Sequence, residues 1–300
     1  MLEICILGTG AMMPMPTRKL ASMLVRFAGR LLLVDCGEGT QVAIRESGWS
    51  LSRIDMVCIT HFHADHIAGL PGLLLTMGAC GRTEPVTIAG PLGLEAVVGN
   101  LRSIAPFLPY ETNFIEFGSP VNTFDFNGLQ ARSFALKHLV PCFGYSFSLP
   151  RAGRFDAAKA KTLGIPLSYW SRLQKGETVE VDGKSYFPSQ VLGPERRGIK
   201  LAYCTDTSPT NAVEEHCADA DLLILEATNT DGDNAVLHGH MTFAQAAKLA
   251  AQAGASELLL THFSPSISEP AAHLGLARSV FSNTSAARDL MMRVLSFVED

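Results

Sequence analysis

Runs of apolar residues along the chain predict a series of short strands, several of which end in polar residues. Strands are expected at residues 2–7, 23–27, 30–34, 54–59, 86–89, 114–117, 129–136, 200–204, 222–225, 257–260 and 293–298. Helices are expected at residues 66–78, 94–104 and 242–253. A further helix is expected to end at about residue 47, and two others to begin at about residues 271 and 284. The pattern therefore predicts a chain of interleaved strands and helices.

Composition narrows the class of protein. A chain of 300 residues with 47% apolar content can bury a sizeable core, as one large domain or as one domain with an appendage. No run reaches the ~18 apolar residues that a membrane span needs, and the chain does not begin like a signal peptide. The seven cysteines form no Cys-x-x-Cys pair and are interpreted as buried thiols. We therefore expect a cytoplasmic protein with no membrane partner.

Candidate metal ligands are concentrated in residues 60–66, Thr-His-Phe-His-Ala-Asp-His, directly after a predicted strand. In an extended segment His61 and His63 point the same way, while Asp65 and His66 fall where the chain should turn into a helix. One short segment can therefore supply two adjacent ions. Imidazole with carboxylate and no thiolate favours Zn²⁺, then Mn²⁺ or Fe²⁺. The alternative is three ordinary histidines and a helix-capping Asp65, but such ligand types rarely coincide at this spacing.

Other polar residues also follow predicted strands, and each has an ordinary structural explanation. Asp35 could be a helix N-cap, and Asp206 could cap a short segment beginning at Pro209. A lone histidine at a strand end, such as His138, is more often structural than a ligand. The residues alone leave these alternatives open.

Residues 151–200 differ from the rest of the chain, being rich in glycine, proline and charge. Weak helices are expected near residues 157–163 and 169–173, and a hairpin at 181–184. The segment has 10 Lys or Arg against 5 acidic residues, net +5, whereas the remainder has 14 against 24, net −10. We interpret it as an inserted arm where contacts with a polyanion are concentrated; a merely solvated insertion is the alternative.

The motif His-x-His-x-Asp-His after a strand resembles the signature of the metallo-β-lactamase superfamily. Its continuation into Gly-Leu-Pro-Gly at 69–72 resembles the ribonuclease Z branch, the tRNA 3′-end processing endonucleases. Similar motifs of that branch are found at residues 7–10, 35–41, 138–145, 206–209 and 261–265. The resemblance implies an α/β fold, a four-layer αββα sandwich of two mixed sheets, as one domain over residues 1–300 with a projecting, tRNA-binding arm at 151–200.

The resemblance also implies a set of functional residues. One ion would be held by His61, His63 and His138, and the other by Asp65, His66 and His262, with Asp206 and a water bridging them. Asp35 would orient metal ligands. Asp65 would also orient the attacking water, and His240, paired with Glu226, would protonate the departing 3′-oxygen. Candidate RNA contacts in the arm are Arg151, Arg154, Lys159 and Lys161.

The implied function is therefore endonucleolytic removal of the 3′ trailer from pre-tRNA by a homodimer with two divalent ions, zinc by preference. Three departures from the family pattern keep alternatives open: Leu167-Ser168 in the arm, Met241 where the family has serine, and Ser266-Ile267 where it has Arg-Tyr. One alternative is a hydrolase of the same fold acting on a small cyclic phosphodiester or another RNA. The other is a metal-dependent RNA-binding protein without catalysis, although such a protein need not keep an acid–base pair. His238 has no counterpart in the family, and we expect His216 and His273 at the surface.

Overall fold

The computed structural model describes residues 1–230 and 232–298. Its strands, in chain order, are β1 Leu2–Gly8, β2 Ser22–Phe27, β3 Arg30–Val34, β4 Ile54–Cys58, β5 Val86–Pro91, β6 Thr112–Phe117, β7 Val121–Phe126, β8 Leu129–Ala135, β9 Phe143–Arg151, β10 Val179–Val181, β11 Lys184–Tyr186, β12 Arg196–Cys204, β13 Leu222–Glu226, β14 Leu258–Thr261, β15 Thr284–Ala286 and β16 Met291–Leu295.

The helices alternate with these strands. The α-helices are α1 Thr40–Glu46, α2 Ala64–Ile67, α3 Leu70–Ala79, α4 Leu94–Leu101, α5 Ala157–Thr162, α6 Trp170–Gln174, α7 Asn211–His216, α8 Gly232–His238, α9 Phe243–Gln252 and α10 Leu274–Arg278. Short 3₁₀ helices occur at Leu51–Arg53, Arg102–Ile104, Leu167–Tyr169, Pro188–Gln190 and Pro270–His273.

Two seven-stranded sheets form the larger of two compact units, which comprises Met1–Ser148 and Lys200–Ser296. The first sheet has the order β16-β1-β2-β3-β4-β5-β6, antiparallel as far as β3 and parallel from β3 to β6. The second has the order β15-β14-β13-β12-β9-β8-β7, parallel from β12 to β15 and antiparallel from β7 to β9. Both sheets are therefore mixed, as expected.

The central strands of each sheet bury side chains on both faces, so each sheet is covered by helices on its outer face and by the other sheet on its inner face. On the outer face of the first sheet, strand residues such as Leu33 pack with residues of α3 such as Leu73. On the outer face of the second, Leu225 packs with Phe243 of α9. The opposite faces are joined by contacts such as the Tyr145 hydroxyl donating to the Ile59 carbonyl at 2.6 Å. The predicted four-layer αββα sandwich is thus confirmed.

The second unit comprises Leu149–Ile199 with the described C-terminal residues Phe297 and Val298, close to the 151–200 boundaries expected for the arm. It has its own small core of buried residues, among them Leu173, Val179 and Tyr186. The hairpin forms as expected, with β10 paired to β11. Trp170 is half-buried, packs against this core and donates from its indole nitrogen to the Ile165 carbonyl.

Several expected elements differ from those observed. The helix predicted from residue 284 is instead strand β15, which pairs in parallel with β14, so sheet pairing overrides local preference. The helix predicted at 66–78 is two helices, α2 and α3, separated at Gly69. His216, expected at the surface, is buried with its ring 4.8 Å from that of Phe134. Strands β7 and β9 were not predicted.

Among residues 1–230 and 232–298, no helix has the length and apolar character needed to cross a membrane. All seven cysteines are free thiols, and Cys80 is the exposed one.

Candidate metal centre and active site

The candidate site residues come together where parallel strands of both sheets end. Asp35 follows β3 and His61 lies just beyond β4, its parallel neighbour in the first sheet. Asp206, Glu226 and His262 stand at or just beyond the ends of β12, β13 and β14, which are parallel neighbours in the second sheet. The carboxyl ends of parallel strands share one edge, and crevices for ligands form there.

Three of these residues share an unusual backbone conformation. The φ angles of Asp35, Asp206 and His262 are 61°, 54° and 55°. This left-handed region costs a side-chain-bearing residue about 1–2 kcal/mol, and Asp and His accept it more readily than most. At each of these three residues the chain turns sharply as it leaves a strand. The contacts described below stabilise these turns.

Two glycines allow the loop after β3 to lie against the metal-motif segment. A Cβ atom on Gly37 would lie 2.1 Å from the Asp65 carbonyl oxygen, and one on Gly69 would lie 1.9 Å from the Gly37 carbonyl oxygen. The Cys36 amide donates to the His66 carbonyl at 2.8 Å, and the Gly69 amide donates to Cys36. This close approach brings Asp35 within reach of the histidines.

Two groups of donor atoms lie side by side. In the first, His138 Nε2 is 3.4 Å from His63 Nδ1, and His61 Nε2 is 3.6 Å from Asp206 Oδ2. The donor atoms of His61, His63, His138 and Asp206 all lie within 4.8 Å of one another. The group contains the three histidines that the resemblance implied for one ion, together with Asp206, the residue implied to bridge both ions.

The second group is built on the other side of Asp206. His66 Nε2 and His262 Nε2 lie 3.2 Å apart, and each is within 3.6 Å of Asp65 Oδ2. Asp206 Oδ1 is 3.1 Å from His262 Nε2 and 3.4 Å from His66 Nε2. The two oxygens of Asp206 therefore face different groups, the arrangement that a carboxylate bridging two ions requires.

The donor set fits divalent metal ions. His61 Nε2 and Asp206 Oδ1 are buried and have no hydrogen-bond partner in the described part of the chain. Such orphaned polar atoms cost about 1–3 kcal/mol each, and an ion would satisfy them. Burial, with the neighbouring His66, lowers the pKa of His61 to about 2, so this imidazole is neutral as a ligand must be.

The two carboxylates among the candidate ligands, Asp206 and Asp65, are ionised, whereas burial raises the pKa of Asp35 behind them. Burial alone would raise the pKa of Asp206, but the neighbouring rings of His262, His66 and His61 hold it well below its ordinary value. Burial likewise opposes ionisation of Asp65, and the rings of His262 and His66 outweigh it. Burial lowers the pKa of His66, but the charges of Asp206 and Asp35 raise it well above its ordinary value, so an ion binding at Nε2 displaces a proton.

Asp35 lies behind the ligands, where it contacts His66 directly and His61 through the Thr60 hydroxyl, and it is not the helix cap that the sequence left open. Its Oδ2 accepts from His66 Nδ1 at 2.8 Å, and the Thr60 hydroxyl lies 3.0 Å from both of its oxygens. The same hydroxyl is 3.0 Å from His61 Nδ1. Helix α1 begins later, after Gly39. Nor does Asp206 cap the helix that follows it, since Thr210 caps α7.

Glu226 and His240 form the pair that the resemblance implied. His240 Nδ1 lies 2.9 Å from Glu226 Oε1, and the Glu226 carboxylate is fully buried. Burial lowers the pKa of His240, but the hydrogen bond and charge of Glu226 outweigh this and raise it to about 9. The imidazole is therefore protonated at neutral pH. A donor atom of His240 also lies within 4.8 Å of those of Asp206 and His262, at the boundary of the metal groups.

The ligands open onto a cleft of about 400 Å³. Met12, Leu139, Asn229, His238 and the hydroxyl-bearing Ser264 and Ser266 also line it. His238, which the sequence left without a role, is exposed at the end of α8 and contributes to this lining. The Met12 amide donates to Asp65 Oδ2 at 2.8 Å, a contact that no sequence pattern indicated.

Two family departures have structural explanations. The Met241 side chain is fully buried in the core, so a hydroxyl at this position would not face the cleft, and its amide still donates to Glu226 Oε2 at 3.1 Å. Ile267 is also buried, and Arg18 donates to the carbonyls of Ser264, Ile267 and Ser268. The loop thus has a guanidinium contact from another segment. We have no structural explanation for Leu167-Ser168.

The four arm residues proposed to contact RNA lie in different surroundings. Lys159 and Lys161 are exposed on α5, and Arg154 is exposed just before it. Arg151 is half-buried, donates to the Val298 carbonyl and stacks on the Phe297 ring. It therefore has a structural role in joining the arm to the C-terminal residues of the same compact unit.

Comparison with known protein families gives two partial matches. Residues 2–91 match the family described as anti-Pycsar protein Apyc1, and residues 180–263 match the beta-lactamase superfamily domain.

Individual proteins match over the whole chain. The chain is 48% identical over 300 residues to a ribonuclease Z of Lachnoclostridium phytofermentans, with 99% of each chain covered. It is 47% identical over 303 residues to a ribonuclease Z of Agathobacter rectalis, with both chains covered completely. Among solved structures, the short form of human tRNase Z superposes with a TM-score of 0.69 at 27% identity, covering 98% of this chain and 100% of the other.

Proposed function

The chain belongs to the ribonuclease Z family of the metallo-β-lactamase superfamily, and from that premise we propose how its site acts: it is a metal-dependent endonuclease that removes the 3′ trailer from pre-tRNA using two ions. The observation that carries the two-ion reading is Asp206, whose two oxygens face two separate groups of histidines. The protonated His240 beside them supplies the acid that a poor leaving group needs.

The metal ligands would be His61, His63, His138, Asp65, His66, Asp206 and His262. When bound, the ions would lower the pKa of a water toward neutrality and offset negative charge on the phosphoryl oxygens. We infer zinc because the donors are imidazoles and carboxylates. Asp65 would orient the attacking water with its carboxylate, which the Met12 amide holds in place.

His240 would donate the proton from Nε2 to the 3′-oxygen as the phosphorus–oxygen bond breaks. Its Nδ1 is engaged by Glu226, so the ring presents its other nitrogen toward the cleft. Glu226 itself is held by the amides of Thr207 at 2.6 Å and Met241 at 3.1 Å. The pair is thereby aimed before substrate arrives, which is how preorganised groups act on a transition state.

The direct test is turnover of a 3′-extended pre-tRNA, followed by mapping of the cleavage position. The zinc-loaded protein should release the trailer and leave a 3′-hydroxyl on the tRNA. Bis(p-nitrophenyl) phosphate, assayed on the same preparation, should also be hydrolysed. Hydrolysis of the small diester with no cleavage of pre-tRNA would contradict the tRNA assignment and favour the second candidate, a hydrolase of another phosphodiester, which Leu167-Ser168 in the arm motivates.

We further propose that the arm binds RNA without taking part in the chemistry. Its net positive charge and the exposed Lys159 and Lys161 support this role. Each phosphate contact releases condensed counterions, so affinity should fall steeply with salt. Converting both lysines to Ala should weaken pre-tRNA binding and reduce the slope of log affinity against log salt by about 1 for each lysine that neutralises a phosphate.

A matched control exists in the same arm. Arg172 is already paired with Glu177 at 2.8 Å, so Arg172→Ala should change the salt slope much less than the lysine substitutions. Hydrolysis of the small diester should be unaffected in all variants. An unchanged slope in the double lysine variant would remove these residues from the RNA-binding surface.

By resemblance to the family we also propose a homodimer located in the cytoplasm, and the free, largely buried thiols are consistent with a reducing compartment. Sedimentation equilibrium returning a monomer mass at micromolar concentration would contradict the dimer. Recovery of the chain outside the cytoplasmic fraction of its cell would contradict the location.

A further inference from the structure

The hydroxyl of Thr228 lies between the acid–base pair and a metal ligand. Thr228 Oγ1 is 2.5 Å from Glu226 Oε2 and 3.0 Å from His262 Nδ1. Glu226, Thr228 and His262 are all buried, so water does not compete for these contacts. The same Glu226 accepts from His240 through its other oxygen, Oε1. The Glu226 carboxylate therefore contacts His240 directly and His262 through the Thr228 hydroxyl.

Because the Thr228 hydroxyl has a single proton, it can donate only one hydrogen bond, and this determines which group donates at each contact. Oγ1 could donate to Glu226 Oε2 at 2.5 Å or to the His262 carbonyl at 2.9 Å. The carboxylate oxygen is the closer of the two acceptors, and hydrogen bonds to carboxylates are stronger than those to carbonyls. With its proton directed there, the hydroxyl oxygen accepts from Nδ1–H of His262. That tautomer leaves Nε2 unprotonated, and Nε2 is the atom that faces Asp206 and Asp65.

The first sheet contains an arrangement of the same kind. The Thr60 hydroxyl lies 3.0 Å from the Asp35 oxygens and 3.0 Å from His61 Nδ1, while Asp35 accepts directly from His66. In each half of the site, a buried carboxylate contacts one histidine directly and a second one through a threonine hydroxyl. The recurrence in two unrelated segments indicates that the threonine position serves the ligands.

We propose that Thr228 is a positioning residue through which Glu226 orients the metal ligand His262 while it holds the proton donor His240. The proposal deepens the proposed function, because it takes His262 as a ligand and His240 as the acid. Outer partners of ligating histidines fix ring orientation and raise ligand basicity, and their loss typically lowers metal affinity by about 10- to 100-fold. The acid–base pair and one metal site would thus share a single carboxylate.

The test is a zinc titration of metal-free protein, in competition with a chromophoric chelator and without RNA. Thr228→Val should weaken one of two zinc sites by about 10- to 100-fold and leave the other unchanged. Thr228→Ser, which keeps the hydroxyl, should bind like the wild type. Thr284→Val is the matched control, because this buried hydroxyl donates only to the Phe281 carbonyl.

A double-mutant cycle separates this role from simple packing. Glu226→Gln removes the charge and replaces one of the two acceptor oxygens with a donor, so the contacts to His240 and to the Thr228 hydroxyl cannot both be kept as they are. It should therefore weaken the same zinc site although Glu226 lies outside both groups of ligands. His240→Ala should not weaken it. Combined with Thr228→Val, the glutamine substitution should add little, because both break one chain of hydrogen bonds.

Wild-type zinc affinity in Glu226→Gln would overturn the proposal, and so would losses that multiply in the double variant. The glutamine variant tests the proposal even if Thr228→Val fails to fold. The zinc titration contains no RNA, so its outcome does not depend on the substrate. Failure to cleave pre-tRNA would therefore count against the proposed function and not against the role of Thr228.

Discussion

Asp35 and Glu226 occupy corresponding places in the two halves of the site, yet the histidines they contact directly have different surroundings. His66, bound to Asp35, is fully buried, and its Nε2 lies within 3.6 Å of Asp65, Asp206 and His262. His240, bound to Glu226, retains 12% side-chain exposure and lines the cleft. The carboxylate–histidine pair is the same in both halves, and the surroundings of the second ring nitrogen decide between metal ligand and proton donor.

Asp206 is the residue that both halves share, so its loss should have the largest effect. Asp206→Asn keeps the shape of the side chain but removes the charge that two ions would share. We expect a zinc content below one ion per chain and turnover near background for both pre-tRNA and the small diester. Retention of two ions in a variant with a wild-type circular dichroism spectrum would show that Asp206 does not bridge them.

His240→Ala should remove the proton donor paired with Glu226 and leave the His66–Asp35 pair intact. Losing a general acid lowers turnover by ~10²–10⁴ when the leaving oxygen needs a proton, as the 3′-oxygen of RNA does. p-Nitrophenolate leaves without one, so the small diester should be affected much less. Steady-state rates on both substrates check this. Equal losses on both would remove His240 from the role of proton donor.

Glu226→Gln should produce a smaller change that depends on pH. The carboxylate raises the pKa of His240 to about 9, so the acid form persists at neutral pH and is lost as pH rises through that value. Without the charge, the pKa should fall toward its ordinary value, and the alkaline decline in kcat should move to lower pH. At pH 8 the loss should be ~10- to 30-fold. An alkaline limb at the wild-type position would contradict this coupling.

The residue pattern alone singled out His61, His63, Asp65 and His66 as candidate ligands, because four metal-binding side chain types stand within six residues after a strand. The resemblance to the family added His138, Asp206 and His262, and the structure brings all seven close together. The resemblance supplied Glu226 and His240, which no spacing connects. It could not supply Thr60 and Thr228, since a hydroxyl placed between two groups leaves no periodic or compositional signal. The Met12 amide was missed for the same reason: a backbone donor carries no residue-type information.

The errors in the fold have particular causes. Strand β9 contains Phe143, Tyr145 and Phe147 at alternate positions, a pattern typical of a strand. Strand β7 is followed by Asn127-Gly128, a dipeptide typical of a hairpin turn. Both strands could therefore be predicted from local sequence. Strand β15 is only three residues long and exists through its pairing with β14, which no local pattern shows. His216 is buried by its contact with Phe134, a residue 82 positions earlier in the chain, and this too is a tertiary effect.

The comparison between the two carboxylate–histidine pairs is tested most directly by the zinc content of His66→Ala and His240→Ala, loaded and analysed side by side. Each substitution removes the histidine that its carboxylate contacts directly, so the two variants differ only in which half is broken. His66→Ala should retain about one ion per chain because its group loses a ligand. His240→Ala should retain both ions while losing pre-tRNA cleavage. Equal zinc loss in the two variants would contradict the assignment of His66 as a metal ligand and His240 as a proton donor.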